Sequence, residues 1–434
     1  MQVKKLVILI LVLFSAVLSK ADDDTATQVL RYDNYIYEEN IKTVQLFQTY
    51  SGDHMPVLGL GANDQLTLLF DELVTQNDYY QYTFIHCNAD WTPSDLQPMQ
   101  YLDGNMFDNI EKFTFSNNTY VKYINYQLQF PTDRMRPKLS GNYLLKVYRN
   151  YDETDLILTR RFYIVDSKLT ISGLVQPATR PDYRFNRQEI DFTVNTKNYN
   201  VVNPFQDTRV VIIQNYWQDN AITGLKPQFV SGQDLVYNYE EENVFGGINE
   251  FRFFDTRSLR FASPNVDKKY FLEGSYHAKL IPDEIRAFKR HLALVDFNGK
   301  RVIENKDGQD GNIDGDYSWV YFTLQTENLL PDSVYVMGEL TDWQIKDEFK
   351  MVYNFDKKAY EGKALLKQGF YDYMYVTVPR AGTTESTLPE TLFTEGNYFD
   401  TENDYYIFYY VRNQFLDYYE LLSFHRLNTN TTKR

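Results

Sequence analysis

The sequence predicts an all-β protein built from tandem β-sandwich domains, and three observations lead there. Short apolar runs with a period near two recur along the chain, separated by clusters of Gly, Pro, Asn and Asp. The chain holds 37 Tyr and 30 Phe against 20 Gly and 14 Pro, a bias that suits pleated, half-buried surfaces. No stretch carries a convincing series of amphipathic helices, because the apolar runs are too short for helices of about ten residues. At 434 residues the chain has room for two to four such domains.

The elements follow in order. "MQVKKLVILILVLFSAVLSKADDD" reads as an export signal over residues 1–21. Lys4 and Lys5 form its basic start, Leu6 to Leu18 its apolar run, and Ser19 and Ala21 a small-residue cleavage site. The run falls short of the roughly 20 apolar residues of a membrane span, and no cysteine near the cleavage point offers a lipid anchor. A first sandwich is expected over residues 22–166. Its runs are "IKTVQLFQ", "QLTLLFDEL", "YYQYTFIHC", "KYINYQLQF", "NYLLKVY" and "LILTRRFYIV". A second, over residues 167–312, contains "KLTISGLVQP", "EIDFTVNT", "TRVVIIQN", "NEFRFFDT", "YHAKLI" and "RHLALVDFNG", and ends in the acidic, Gly-rich stretch between Gly299 and Tyr317. A third, over residues 313–434, contains "SWVYFTLQT", "SVYVMGEL", "AYEGKALLK", "YDYMYVTV" and "YYIFYYVR".

Candidate sites are few. In "YTFIHCNADW", side chains alternate across a strand. Cys87 therefore shares a face with Thr83 and Ile85, while His86 shares the other with Tyr82 and Phe84. Zinc needs convergent ligands and a nucleophilic cysteine needs a base on its own face, so the cluster reads as a strand running into the turn "DWTPSD". In "DGQDGNIDGDY", Asp310, Asn312, Asp314 and Gly315 match the start of a calcium loop. The twelfth position is Tyr321 rather than Glu, which makes this an incomplete calcium candidate and a solvated acidic loop the better reading. The five histidines are scattered, and no metalloprotease, nucleophile-elbow, P-loop or dinucleotide pattern occurs. No catalytic residue, cofactor or metal site is expected. Cys87 stands alone and makes no internal disulfide. A net charge of -15 argues against nucleic acid and against electrostatic docking on an anionic membrane. "YDYMYVTV" and "YYIFYYVRNQFLDYYELLSF" carry more Tyr than one sheet face buries. They imply either exposed aromatics that meet a protein or a sugar, or sheets covered on both faces.

Three stretches carry a family resemblance: "FIHCNADWTPSDLQPMQYLDG", "FSNNTYVKYINYQLQFP" and "LSGNYLLKVYRNYDETDLILTRRFYIVD". Together they resemble the amino-terminal domain of the type IX secretion system plug protein family, and "DGDYSWVYFTL" and the tyrosine-rich ending look like the same family. The resemblance implies an exported, periplasmic, non-enzymatic protein of tandem sandwiches. Its implied role is to cap the periplasmic mouth of the outer-membrane secretion translocon barrel, held there by protein contact without membrane insertion. It implies no interface positions. The third unit also resembles the early-set immunoglobulin-like module of glycogen-branching enzymes, with Gly338, Trp343, Met351, Tyr360, Gly369 and Tyr373 in the matching places. That second resemblance implies an immunoglobulin-like fold. It raises the alternative of a periplasmic glucan-binding protein, with Trp343 and neighbouring tyrosines as the residues to test, although the ligand-stacking Trp and Lys of glucan binders have no assignable counterparts.

Overall fold

Among the described residues, alternating side chains on paired strands build three apolar cores. The computed structural model describes residues 28–379 and 388–432, so the expected export signal at residues 1–21 lies outside the described residues. Among the described residues no helix is longer than four residues, and the fold is all-β. From Arg31 onward the described residues belong to one compact unit.

The first sandwich pairs Tyr80–Cys87, Gly141–Arg149 and Asp152–Val165 in one sheet. Ile41–Gln48, Leu66–Glu72, Ile124–Phe130 and Lys112–Phe115 form the facing sheet. Tyr82 and Phe84 point inward from the first of these strands, and the Phe84 ring lies 5.2 Å from both Phe130 and Phe162. Gly141, which starts its strand at a φ of +142°, is required where it stands. A Cβ there would lie 2.5 Å from Nε2 of His86.

The second sandwich sets the sheet of Thr170–Pro177, Arg187–Asn195, Asp234–Tyr237 and Phe229–Ser231 against a sheet ordered Trp217–Thr223, Thr208–Gln214, Asp404–Asn413, Tyr418–Asn428. Its core joins Ile190, Phe192 and Ile212 to Tyr405, Ile407 and Tyr409. The third sandwich pairs Gly369–Val378 with Arg252–Asp255, Arg301–Ile303 and Ser333–Met337. These face Val266–Leu272, Ser275–Leu280, Tyr317–Gln325 and Ala359–Lys367.

The pairing departs from the expected ranges 167–312 and 313–434. Strands between Arg252 and Ile303 belong with the third core, and the last hairpin, Asp404 to Asn428, returns to complete the second. The third sandwich is thus inserted into the second. A period of two reports which side chains share a face, but it carries no information on which distant strand supplies the neighbouring ladder.

Candidate functional site

The cluster at the end of Tyr80–Cys87 is a packing device. His86 is buried; its Nδ1 lies 2.9 Å from Oγ of Ser94 and its Nε2 3.3 Å from the carbonyl of Ser140. Burial pushes its pKa down to about 4, so the ring is neutral among Tyr101, Tyr143 and Tyr418. Burial also drives the Cys87 thiol up to about 12, which leaves no thiolate for nucleophilic or ligand chemistry. Strand pairing places Tyr143 opposite His86 and Asn142 opposite Cys87.

The acidic stretch expected as a solvated loop is instead docked on the first sandwich. Asp310 caps the short helix Gly311–Asp314 by accepting from the Asn312 amide at 2.9 Å. Oδ1 of Asp314 accepts from Nδ2 of Asn117, and its Oδ2 from the amide of Gln309. Oδ1 of Asn312 accepts from Nε2 of Gln45. Asp316 accepts from the amides of Tyr120 at 2.7 Å and Val121 at 3.1 Å. The Tyr123 hydroxyl donates to the carbonyls of Ile313 and Gly315, both at 2.8 Å. The Asp316 carboxylate answers two backbone donors of a neighbouring loop, a use that acidity and glycine content do not reveal. Among the described residues no group of three or more His, Cys, Asp or Glu is arranged to hold a metal ion.

Beneath this latch lies a buried ion pair that sequence reasoning missed. Nζ of Lys367 is 2.6 Å from Oδ2 of Asp71 and 2.7 Å from the carbonyl of Asn312, and it sits 4.0 Å over the Tyr123 ring. The Tyr317 hydroxyl donates to the same Asp71 oxygen at 2.7 Å. Burial lowers the Lys367 pKa, and Asp71 opposes that shift. A second buried pair joins Arg160 of the first sandwich to Asp342 of the third at 3.3 Å. Burial alone would raise the Asp342 carboxyl, yet Arg160 and Lys346 beside it hold it well below the usual range.

The tyrosine-rich strands are covered on both faces. Tyr405, Tyr406, Tyr409 and Tyr410 are all buried, as are Tyr371, Tyr373 and Tyr375. One face of Asp404–Asn413 fills the second core. From the other, Phe408 stacks on Tyr163 at 4.2 Å and the Tyr410 hydroxyl donates to Oδ1 of Asn142 at 2.8 Å. The signal was present in "YYIFYYVR", where no polar residue alternates, because a strand buried on both faces reads as a continuous apolar run.

The glucan alternative loses its test residue. Trp343 is only 7% exposed, with Phe251 edge-on at 5.8 Å. Gly299, at a φ of +80°, backs onto its ring, where a Cβ would come within 2.3 Å. Met351, Tyr360 and Tyr373 are buried in the third core, and Gly338 opens the turn Glu339–Thr341. These positions hold the module together.

Residues 41–166 match the family model described as type 9 secretion system plug protein 1st domain. The chain is similar over 92% of its length to a crystal structure of a hypothetical protein from Parabacteroides merdae ATCC 43184. The identity is 32%, all of that chain is covered, and the TM-score is 0.88. No curated protein matches the chain.

Proposed function

Because the chain belongs to the type IX secretion system plug protein family, we propose that it is the periplasmic subunit that closes the mouth of the outer-membrane barrel of that system. A structural role in type IX secretion follows from the family itself. Docking on the barrel is the finer reading, and the match over residues 41–166 carries it.

The geometry supports a gating body more than a catalyst. Buried pairs and aromatic stacks lock three sandwiches together, and a cap must resist deformation over a wide opening. Among the described residues no helix is long and apolar enough to cross a membrane. Phe185, Phe288 and Val295 are 77%, 89% and 94% exposed. Backbone bonds from Arg286 to Thr394 and from Phe399 to Phe185 bring Phe185, Phe288 and Phe393 close to one segment. Exposed apolar side chains on segments joined in this way support a partner-binding surface.

Affinity purification of the carboxy-terminally tagged chain from gently solubilised envelopes tests the reading. Co-recovery of a very large outer-membrane barrel is expected. An otherwise clean purification that repeatedly lacks the barrel overturns the docking claim.

A further inference from the structure

A cavity of about 80 Å³ lies where the three sandwiches meet. His54, Arg160 and Arg161 line it from the first, Tyr216 and Gln218 from the second, and Lys300, Arg301, Glu339, Asp342 and Trp343 from the third. A site needs roughly 10–15 Å³ by the same measure to hold one water, so this one has room for several waters or one tetrahedral oxyanion.

Its charge is out of balance. Four basic side chains, Arg160, Arg161, Lys300 and Arg301, face two carboxylates, Glu339 and Asp342, in a chain whose net charge is -15. Both carboxylates are already engaged. Asp342 pairs with Arg160 at 3.3 Å and Lys346 at 2.8 Å. Glu339 pairs with His54 at 2.6 Å and accepts from the Arg301 amide at 2.7 Å. Asp33 and Asp219 line the adjoining cleft, from which Asp33 acts electrostatically on Arg160 and both acids act on Arg161. Arg161 donates to the carbonyl of Tyr32 and lies over the Trp91 ring.

Two cations have no ion-pair contact among the described residues, although Arg301 acts electrostatically on Glu339 and Asp342, and Lys300 on Asp372. Lys300 rests 5.1 Å over the Tyr216 ring, with no ion-pair partner among the described residues. Arg301 is 6% exposed and donates one guanidinium nitrogen to the carbonyl of Val44, while its buried Nε has no acceptor. A buried guanidinium with a donor left unpaired is costly. A guanidinium fork beside an ammonium is chemistry that selects oxyanions.

From this geometry we infer a binding site for one small tetrahedral oxyanion, of the phosphate or sulfate class, at the three-sandwich junction. The anion completes Arg301 and Lys300 and links all three modules. This site is independent of whether the chain docks on a barrel.

The test uses the exported chain, residues 22–434, with inorganic phosphate as probe. Equilibrium dialysis with labelled phosphate at constant ionic strength, balanced with chloride, is expected to give saturable binding of one anion per chain, with a parallel rise in melting temperature. Lys300→Gln, at a half-buried position, is expected to weaken binding by about tenfold while keeping the native melting transition in chloride. Arg301→Lys is a second variant with the same expected direction. Absence of saturable binding, phosphate affinity unchanged in both variants, or binding of acetate in preference to phosphate and sulfate would each overturn the assignment.

Discussion

At the scale of single residues, burial decides chemistry more than residue type does. His86 and Cys87 would be reactive in water, yet each is held neutral by the core around it. Asp372 shows the same effect in a carboxyl. Its Oδ2 accepts from the amides of Phe297 at 2.6 Å and Gly299 at 3.3 Å, while its buried Oδ1 has no partner. Burial first, then the neighbouring Asp296, pushes its pKa up to about 8. Folding then takes up a proton at any pH between the ordinary carboxylate value and about 8, so this group costs stability progressively as pH rises through that window and adds no further slope above it. Asp372→Asn keeps an acceptor for the two amides and cannot ionise. Thermal melts of both proteins are expected to diverge from about pH 5 to pH 8, with the variant more stable at the alkaline end by an amount on the order of a few kcal/mol. Parallel pH profiles would show that Asp372 ionises in the folded protein as it does in water.

At the scale of elements, the chain uses strand ends and loops as connectors between sandwiches. The acidic segment after Arg301–Ile303 serves as the latch over the Lys367 and Asp71 pair. Removing one partner of a buried pair strands the other charge and costs about 3–5 kcal/mol. Lys367→Met is therefore expected to lower stability by that amount in denaturant unfolding. Adding Asp71→Asn, which retains an acceptor for the Tyr317 hydroxyl, is expected to restore part of the loss, giving a coupling energy of about 1 kcal/mol or more. Additive effects of the two changes would mean that the pair contributes nothing as a pair. The sequence reading missed this pair because Asp71 lies on the outward face of "QLTLLFDEL", where a carboxylate ordinarily meets solvent. Only the approach of another sandwich turns that face into an interior.

At the scale of the whole molecule, the insertion of the third sandwich into the second makes folding interdependent. Asp404–Asn413 lies beside Thr208–Gln214 in the second sandwich and also presents Phe408 to Tyr163 of the first. A fragment of residues 22–312 loses both strands of the last hairpin and leaves Arg252–Asp255 without Gly369–Val378. It is expected to lack a cooperative second domain. Limited proteolysis with mass spectrometry is expected to leave at most the first sandwich protected. A stable protected core extending past residue 250 would contradict the inserted topology. Near residue 166, Asp152–Val165 and Thr170–Pro177 belong to different sheets. Even there, Asp166 donates its amide to the carbonyl of Leu421 at 2.9 Å and Leu169 to that of Leu422 at 3.1 Å.

By itself, the sequence determined the all-β class, the opposite faces of His86 and Cys87 and the family resemblance of the first sandwich. All three depend on local periodicity, residue chemistry or motif order along the chain. It left two readings open for the tyrosines, and the tertiary structure decided for sheets buried on both faces. Only that structure placed the last hairpin in the second sandwich, turned Asp310 to Asp316 into a latch and brought Lys300 and Arg301 to one cavity. The physical reason is that burial of an outward face, strand partnership and charge imbalance are properties of residues far apart in the chain. An alternating pattern reads the same whether water or another sandwich covers its second face.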